Sequence, residues 1–147
     1  MVNPLVVKRK LKKMAEYLDE LESAGNISLD EYLRDFRLRR AVERLIQLIV
    51  DVAIDVNTHV VVDAGRPAPE DAYGSFIEAA SLGLIPDSLA REIAPSTGER
   101  NIIVHEYEDL DDTIVYESIA DTLRLYRDYI RAVVGYLDRA DSQSTMH

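Results

Sequence analysis

The chain has no cysteine. That excludes a disulfide framework and any thiolate metal site, and it agrees with a reducing compartment. Long uninterrupted apolar runs are also missing. The greasiest stretch, "LIQLIVDVAIDV", is broken by Asp51 and Asp55, so it is not expected to span a bilayer. Charge arrives early in "MVNPLVVKRKLKK", before any long apolar region, which is unlike a secretory leader. Together these features predict a soluble, cytoplasmic protein with no membrane partner. Basic residues are scarce relative to acidic ones, and the net charge is −10. A general-purpose nucleic-acid binder, which draws on a broadly basic surface, is therefore excluded. The imbalance is uneven: residues 1–44 carry +2 and the remainder −12. A polyanion would be met by local features such as "KRKLKK" and "RDFRLRR", and both runs read equally as solvated helix faces.

Period-two alternation, internal repeats and low-complexity tracts are absent as well. What remains is helical periodicity. Val7, Leu11, Met14, Leu18 and Leu21 draw one stripe along a first helix, which Gly25-Asn26 stops. Ser28, three residues before Glu31, forms a capping box for the next helix. No proline or glycine interrupts residues 28–62, and a long helix is expected from about Leu38. It has one stripe through Leu45, Ile49, Val52, Val56 and Val60, and a second through Val42, Ile46, Val50 and Ala53. So much apolar surface predicts a central helix that is also shared with a second copy, hence a homodimer. "DAGRPAPEDAYG" is loop chemistry, and a short helix is expected at 75–82. Pro86 and Pro95 bracket another helix, with Ser96 or Thr97 as the cap of the one after. A final helix from about Asp112 to Arg139 is striped by Val115, Ile119, Thr122, Tyr126, Tyr129 or Ile130, and Val133. The expectation is an all-α bundle of four to five helices with an antiparallel core. It forms a single domain over 1–140, ending in a flexible tail at 141–147.

"GERNIIVHEYEDL" carries the candidate chemistry, because it sets Arg100, His105 and Tyr107 around Ile102, Ile103 and Val104. Arginine offers a permanent cationic fork to phosphate oxygens. Histidine titrates near neutrality and can take the 2′-hydroxyl proton of RNA. On a straight helix a five-residue step turns by about 140°. The two side chains can meet only if the helix begins or bends there, or if a neighbouring chain shares the cleft. Spacing alone favours the plainer reading, an arginine salt bridge and a histidine at a helix end. Asp55 and His59, four apart, share a face as two metal ligands would, but two ligands make no site, and an Asp–His hydrogen bond is the simpler reading.

"RNIIVHEY" resembles the R-x4-H-x-Y form of the HEPN motif found in the HepT toxin family. "LRRAVERLIQLIVDVAIDVNTHVV" is similar to that family's second helix, "GLIPDSLAREIAP" to the helix leading into the motif, and "EYEDLDDTIVYESI" to the segment on its C-terminal side. The resemblance covers nearly the whole chain. It implies a toxin of a type VII toxin–antitoxin system, a homodimeric endoribonuclease that cuts tRNA or mRNA without a metal or cofactor. Arg100 and His105 then match the catalytic pair, and Asn101 the polar residue that orients the arginine. Asp55 is a supporting candidate. Tyr107 matches the tyrosine that an MntA-like nucleotidyltransferase antitoxin modifies with AMP. Glu99 departs from the pattern, since relatives usually carry an apolar or aromatic residue there, and an anion beside the arginine would weaken RNA binding. The alternatives left open are a non-catalytic HEPN subunit that binds a nucleotide or a nucleotidyltransferase, and a purely structural helical dimer.

Overall fold

The computed structural model describes residues 2–105, 108 and 110–145, and every element in them is helical. The helices are α1 (Pro4–Gly25), α2 (Leu29–Arg34), α3 (Phe36–Asp63), α4 (Ala72–Ser81), α5 (Asp87–Ile93), α6 (Ser96–His105) and α7 (Asp112–Thr145). The expected all-α bundle is present. Among the described residues it is built of seven helices, with short α2 set off from α3 at Asp35 and α5 set off from α6 at Ala94-Pro95. Asp35 takes an extended backbone and caps α3 by accepting from the amides of Arg37 and Leu38. The last helix runs on through Thr145, beyond the Arg139 boundary suggested by its stripe.

Local chemistry explains most of the helix ends. Asn3 and Ser28 accept from backbone amides at the starts of α1 and α2, as helix-capping side chains do. Gly83, just past α4, has φ +83°, a left-handed turn that glycine adopts without a Cβ clash. Ser96 and Thr97 differ from expectation. Their hydroxyls donate back to the carbonyls of Ile93 and Ala94, so they tie α6 to the end of α5 instead of capping α6 amides.

Three long helices make the core. The α1 stripe is fully buried, as are Val42, Ile46, Val50 and Ala53 of α3 and Val115, Ile119, Tyr126, Tyr129 and Val133 of α7. Burial of each large apolar side chain contributes about 1.5–3 kcal/mol before chain entropy is charged against it. One cleft is lined by Val2 just before α1, Pro4 of α1, Val60 and Asp63 of α3, and Tyr136 and Leu137 of α7. The start of α1 therefore lies beside the ends of α3 and α7, and α1 runs antiparallel to both. At the opposite end Tyr116 of α7 donates to the Ile27 carbonyl, just past α1.

By length and composition α3 is apolar enough to cross a bilayer, despite its aspartates. Here it is the central helix, packed against α1, α2, α4, α6 and α7. Its polar interior position, Asn57, is satisfied: Tyr129 Oη donates to Asn57 Oδ1 at 2.6 Å, and Asn57 Nδ2 donates to Ser75 Oγ at 3.2 Å. Leu45 and Val52 stay half-buried at the margin of the core.

Candidate functional site

Helix α6 carries the arginine and the histidine, and three polar contacts from outside the helix fix it. At its start, Ser96 Oγ and Tyr126 Oη of α7 lie 2.6 Å apart. One turn on, Ser118 Oγ of α7 donates to Glu99 Oε1 at 2.6 Å. The partners on α7 fall in number as those on α6 rise, so α6 runs antiparallel to α7 and carries His105 toward the end where α7 begins. The third contact goes the other way, to α3. Arg100 Nε donates to Asp51 Oδ1 at 2.7 Å, and Arg100 Nη1 donates to Asn101 Oδ1 at 3.0 Å.

These contacts decide what each candidate residue can do. Arg100 is partly buried (22% exposed) and is held by an ionic bond that uses only its Nε edge. A guanidinium has five N–H donors in a fixed fork, so most of its hydrogen-bonding capacity is left for a phosphate. Asn101 Oδ1 accepts one of the Nη1 hydrogens of that fork. His105 is exposed at the end of α6. Helical backbone runs unbroken from Ser96 to His105, so the two side chains leave α6 about 140° apart and about 7.5 Å along its axis. One chain by itself does not bring them onto one face.

Glu99 is not the free anion beside the arginine that its place in the sequence suggests. Burial pushes its carboxyl above the usual range, and the Ser118 hydroxyl pulls it partway back. Ser118 Oγ also lies 2.7 Å from the Val115 carbonyl. One hydroxyl hydrogen faces two acceptors, a conflict removed when the carboxyl is protonated and donates to Oγ. Glu99 thus joins α6 to α7 while Arg100 joins it to α3.

Asp55 is exposed and lies 3.6 Å from Lys10 Nζ, so it is engaged with α1 and makes no bond to Arg100. The Asp–His bond considered for Asp55 and His59 is not formed, and His59 Nε2 is buried without a hydrogen-bond partner. Tyr107 lies outside the described residues. Asp51 was not among the sequence candidates. Its signal was present, because it is the single charge in the ten residues from Leu45 to Ile54.

An all-helical bundle whose penultimate described helix presents arginine and histidine five residues apart has the features of the HEPN class. Comparison with known proteins narrows the class. The profile of the Ribonuclease HepT-like family matches residues 14–133. A relative described as tRNA nuclease HepT, from Aphanizomenon flos-aquae, is 38% identical over 136 residues, 92% of each chain. The mRNA nuclease HepT of Shewanella oneidensis is 22% identical over 134 residues, 90% of this chain and 98% of its own. A solved structure of the tri-AMPylated Shewanella oneidensis HEPN toxin in complex with MNT antitoxin has the same fold. Its TM-score is 0.80 at 22% identity, over 88% of this chain and 97% of that one. The chain belongs to the HepT-like ribonuclease family.

Proposed function

We propose that this chain is the toxin of a toxin–antitoxin pair, a metal-independent endoribonuclease whose catalytic residues are Arg100 and His105. The observation that carries the proposal is a guanidinium held in place by Asp51 on the same short helix as an exposed imidazole, in a chain 38% identical to a tRNA nuclease. Neutral His105 takes the proton from the ribose 2′-hydroxyl. The 2′-oxygen attacks the adjacent phosphorus, the bond to the 5′-oxygen breaks, that oxygen takes a proton from water, and the products are a 2′,3′-cyclic phosphate and a 5′-hydroxyl end. Arg100 stabilises the negative charge that grows on the phosphoryl oxygens. A positioned general base of this kind contributes about 10²–10⁴ in rate.

Because the two side chains diverge on α6, the active unit is a homodimer in which two copies of the motif line one cleft. The half-buried margin of α3 and exposed Phe36 and Ile114 supply apolar surface for such an interface. The partner in the cell is an MntA-like nucleotidyltransferase antitoxin, which silences the toxin by adding AMP to Tyr107. That residue stands two positions past His105, where added phosphate would repel RNA. A second reading, a non-catalytic binding subunit, draws on the acidic net charge and on Arg100 already having an anionic partner.

The deciding experiment is RNA cleavage by purified protein in EDTA, compared with His105→Ala. Cleavage by wild type that His105→Ala reduces at least about 10²-fold supports the nuclease. Equal rates for the two proteins would refute the role of His105, and no cleavage of any RNA would favour the binding subunit. Light scattering at micromolar concentration tests the dimer, which a monomeric mass would refute.

A further inference from the structure

We infer that Asp51 is a positioning residue for the proposed cleavage: it grips Arg100 by Nε and turns the remaining guanidinium donors toward the scissile phosphate. The inference rests on the nuclease reading above and adds a residue to it. Three observations converge. The contact is short, 2.7 Å from Arg100 Nε to Asp51 Oδ1, and joins residues 49 positions apart on two different helices. Both side chains are mostly shielded, at 22% and 33% exposure, so water screens the pair less than a surface ion pair. Asp51 is also the lone charge between Leu45 and Ile54, in a stretch whose other side chains, Gln47 apart, are aliphatic. A carboxylate there is costly to desolvate without a cation, and Arg100 is the cation it meets.

The geometry separates positioning from binding. Asp51 occupies Nε and Asn101 occupies Nη1, so the grip fixes the plane of the fork while leaving other N–H groups for a ligand. Asp51 is itself an anion beside the phosphate's place, so it opposes RNA binding as a charge. Removing it frees the arginine to wander and also removes a repulsion. Rate and affinity then move differently.

The test uses full-length wild type, Asp51→Asn, Asp51→Ala, Arg100→Ala and the Asp51→Ala/Arg100→Ala double variant. Each is assayed for kcat on a cleavable RNA and for Kd on the same oligomer with a 2′-deoxy block at the cut site. The expected result is a loss of about 10²-fold in kcat for Asp51→Ala, the scale of a misplaced catalytic group. Kd is expected to stay equal or become tighter, and Arg100→Ala is expected to weaken it. The double variant should be no slower than Arg100→Ala alone, because Asp51 acts through that residue. Wild-type kcat in folded Asp51→Asn and Asp51→Ala would overturn the inference, and so would rate losses that simply multiply in the double variant. The grip is also read without any variant, as a slowly exchanging Arg100 Nε–H signal in the NMR spectrum of wild type. If that signal exchanges as in free arginine, the inference is overturned. Should wild type cleave no RNA, the nuclease reading falls separately, while the Nε–H signal still decides whether Asp51 holds Arg100.

Discussion

Two tyrosines of α7, Tyr126 and Tyr129, are each fully buried, and Phe substitution at each removes one hydroxyl. The structure predicts unequal costs. Tyr129 Oη donates to Asn57 Oδ1 at 2.6 Å and lies 3.2 Å from the Ala53 carbonyl, with Asn57 itself fully buried. Tyr129→Phe leaves the Asn57 amide oxygen in the core without a donor, a penalty of about 1–3 kcal/mol. Tyr126 Oη pairs with Ser96 Oγ, which is only half-buried and keeps its own donated bond to the Ile93 carbonyl. Tyr126→Phe strands no such group, so its cost is about the 0.5–1 kcal/mol of one ordinary hydrogen bond. For a chain of this size 1 kcal/mol moves Tm by about 2–4 °C. Tyr129→Phe should then lower Tm by roughly 4–8 °C if the penalty is about 2 kcal/mol, and Tyr126→Phe by about half that or less. Urea unfolding and thermal melts at one fixed protein concentration measure both. Should Tyr126→Phe prove as costly as Tyr129→Phe, the reasoning from stranded acceptors is wrong.

Three other substitutions or modifications test separate parts of the molecule. A Cβ at Gly25 would meet Ile119 Cγ2 at 2.9 Å, and Ile119 is buried and stiff at Cβ. Gly25→Ala should therefore destabilise by about 1 kcal/mol net, because overpacking of about 1–3 kcal/mol outweighs alanine's helix preference; a rise in Tm would refute this. The Glu99 carboxyl has its folded pKa raised by burial, so the native state holds its proton more tightly than the unfolded chain does. Its contribution to stability falls as pH rises from the unfolded pKa to the folded one, then stays low. Glu99→Gln should raise Tm at neutral pH and lose that advantage in acid below the ordinary glutamate range, as scanning calorimetry across pH would show. Co-expression with a small nucleotidyltransferase should add AMP mass at Tyr107, and intact-protein mass spectrometry of neutralised toxin without any adduct would count against that regulation.

The sequence by itself determined the helices and their buried faces, because both arise from interactions within one turn. The spacing of Val7, Leu11, Met14, Leu18 and Leu21 chooses the inward face of α1 whatever it packs against, and all five are buried. Ser28 accepts from the Glu31 amide because the two are three residues apart. Arg100 and His105 too were legible, as a linear pattern on what proved to be a single helix.

Its surroundings were not legible, because they depend on how the helices cross and on their offset along the axis. Arg100 meets Asp51 49 positions away, Glu99 meets Ser118 19 away, and Ser96 meets Tyr126 30 away. No periodicity within α6 encodes which carboxylate or hydroxyl stands across each groove. For that reason Glu99 reads in the sequence as a loose anion; Ser96 and Thr97 differ from expectation for a local reason, their bonds three residues back to the Ile93 and Ala94 carbonyls. Local spacing chose which side of each helix turns inward; packing between helices chose what each polar group finds there, and so how much of the arginine is left for a phosphate.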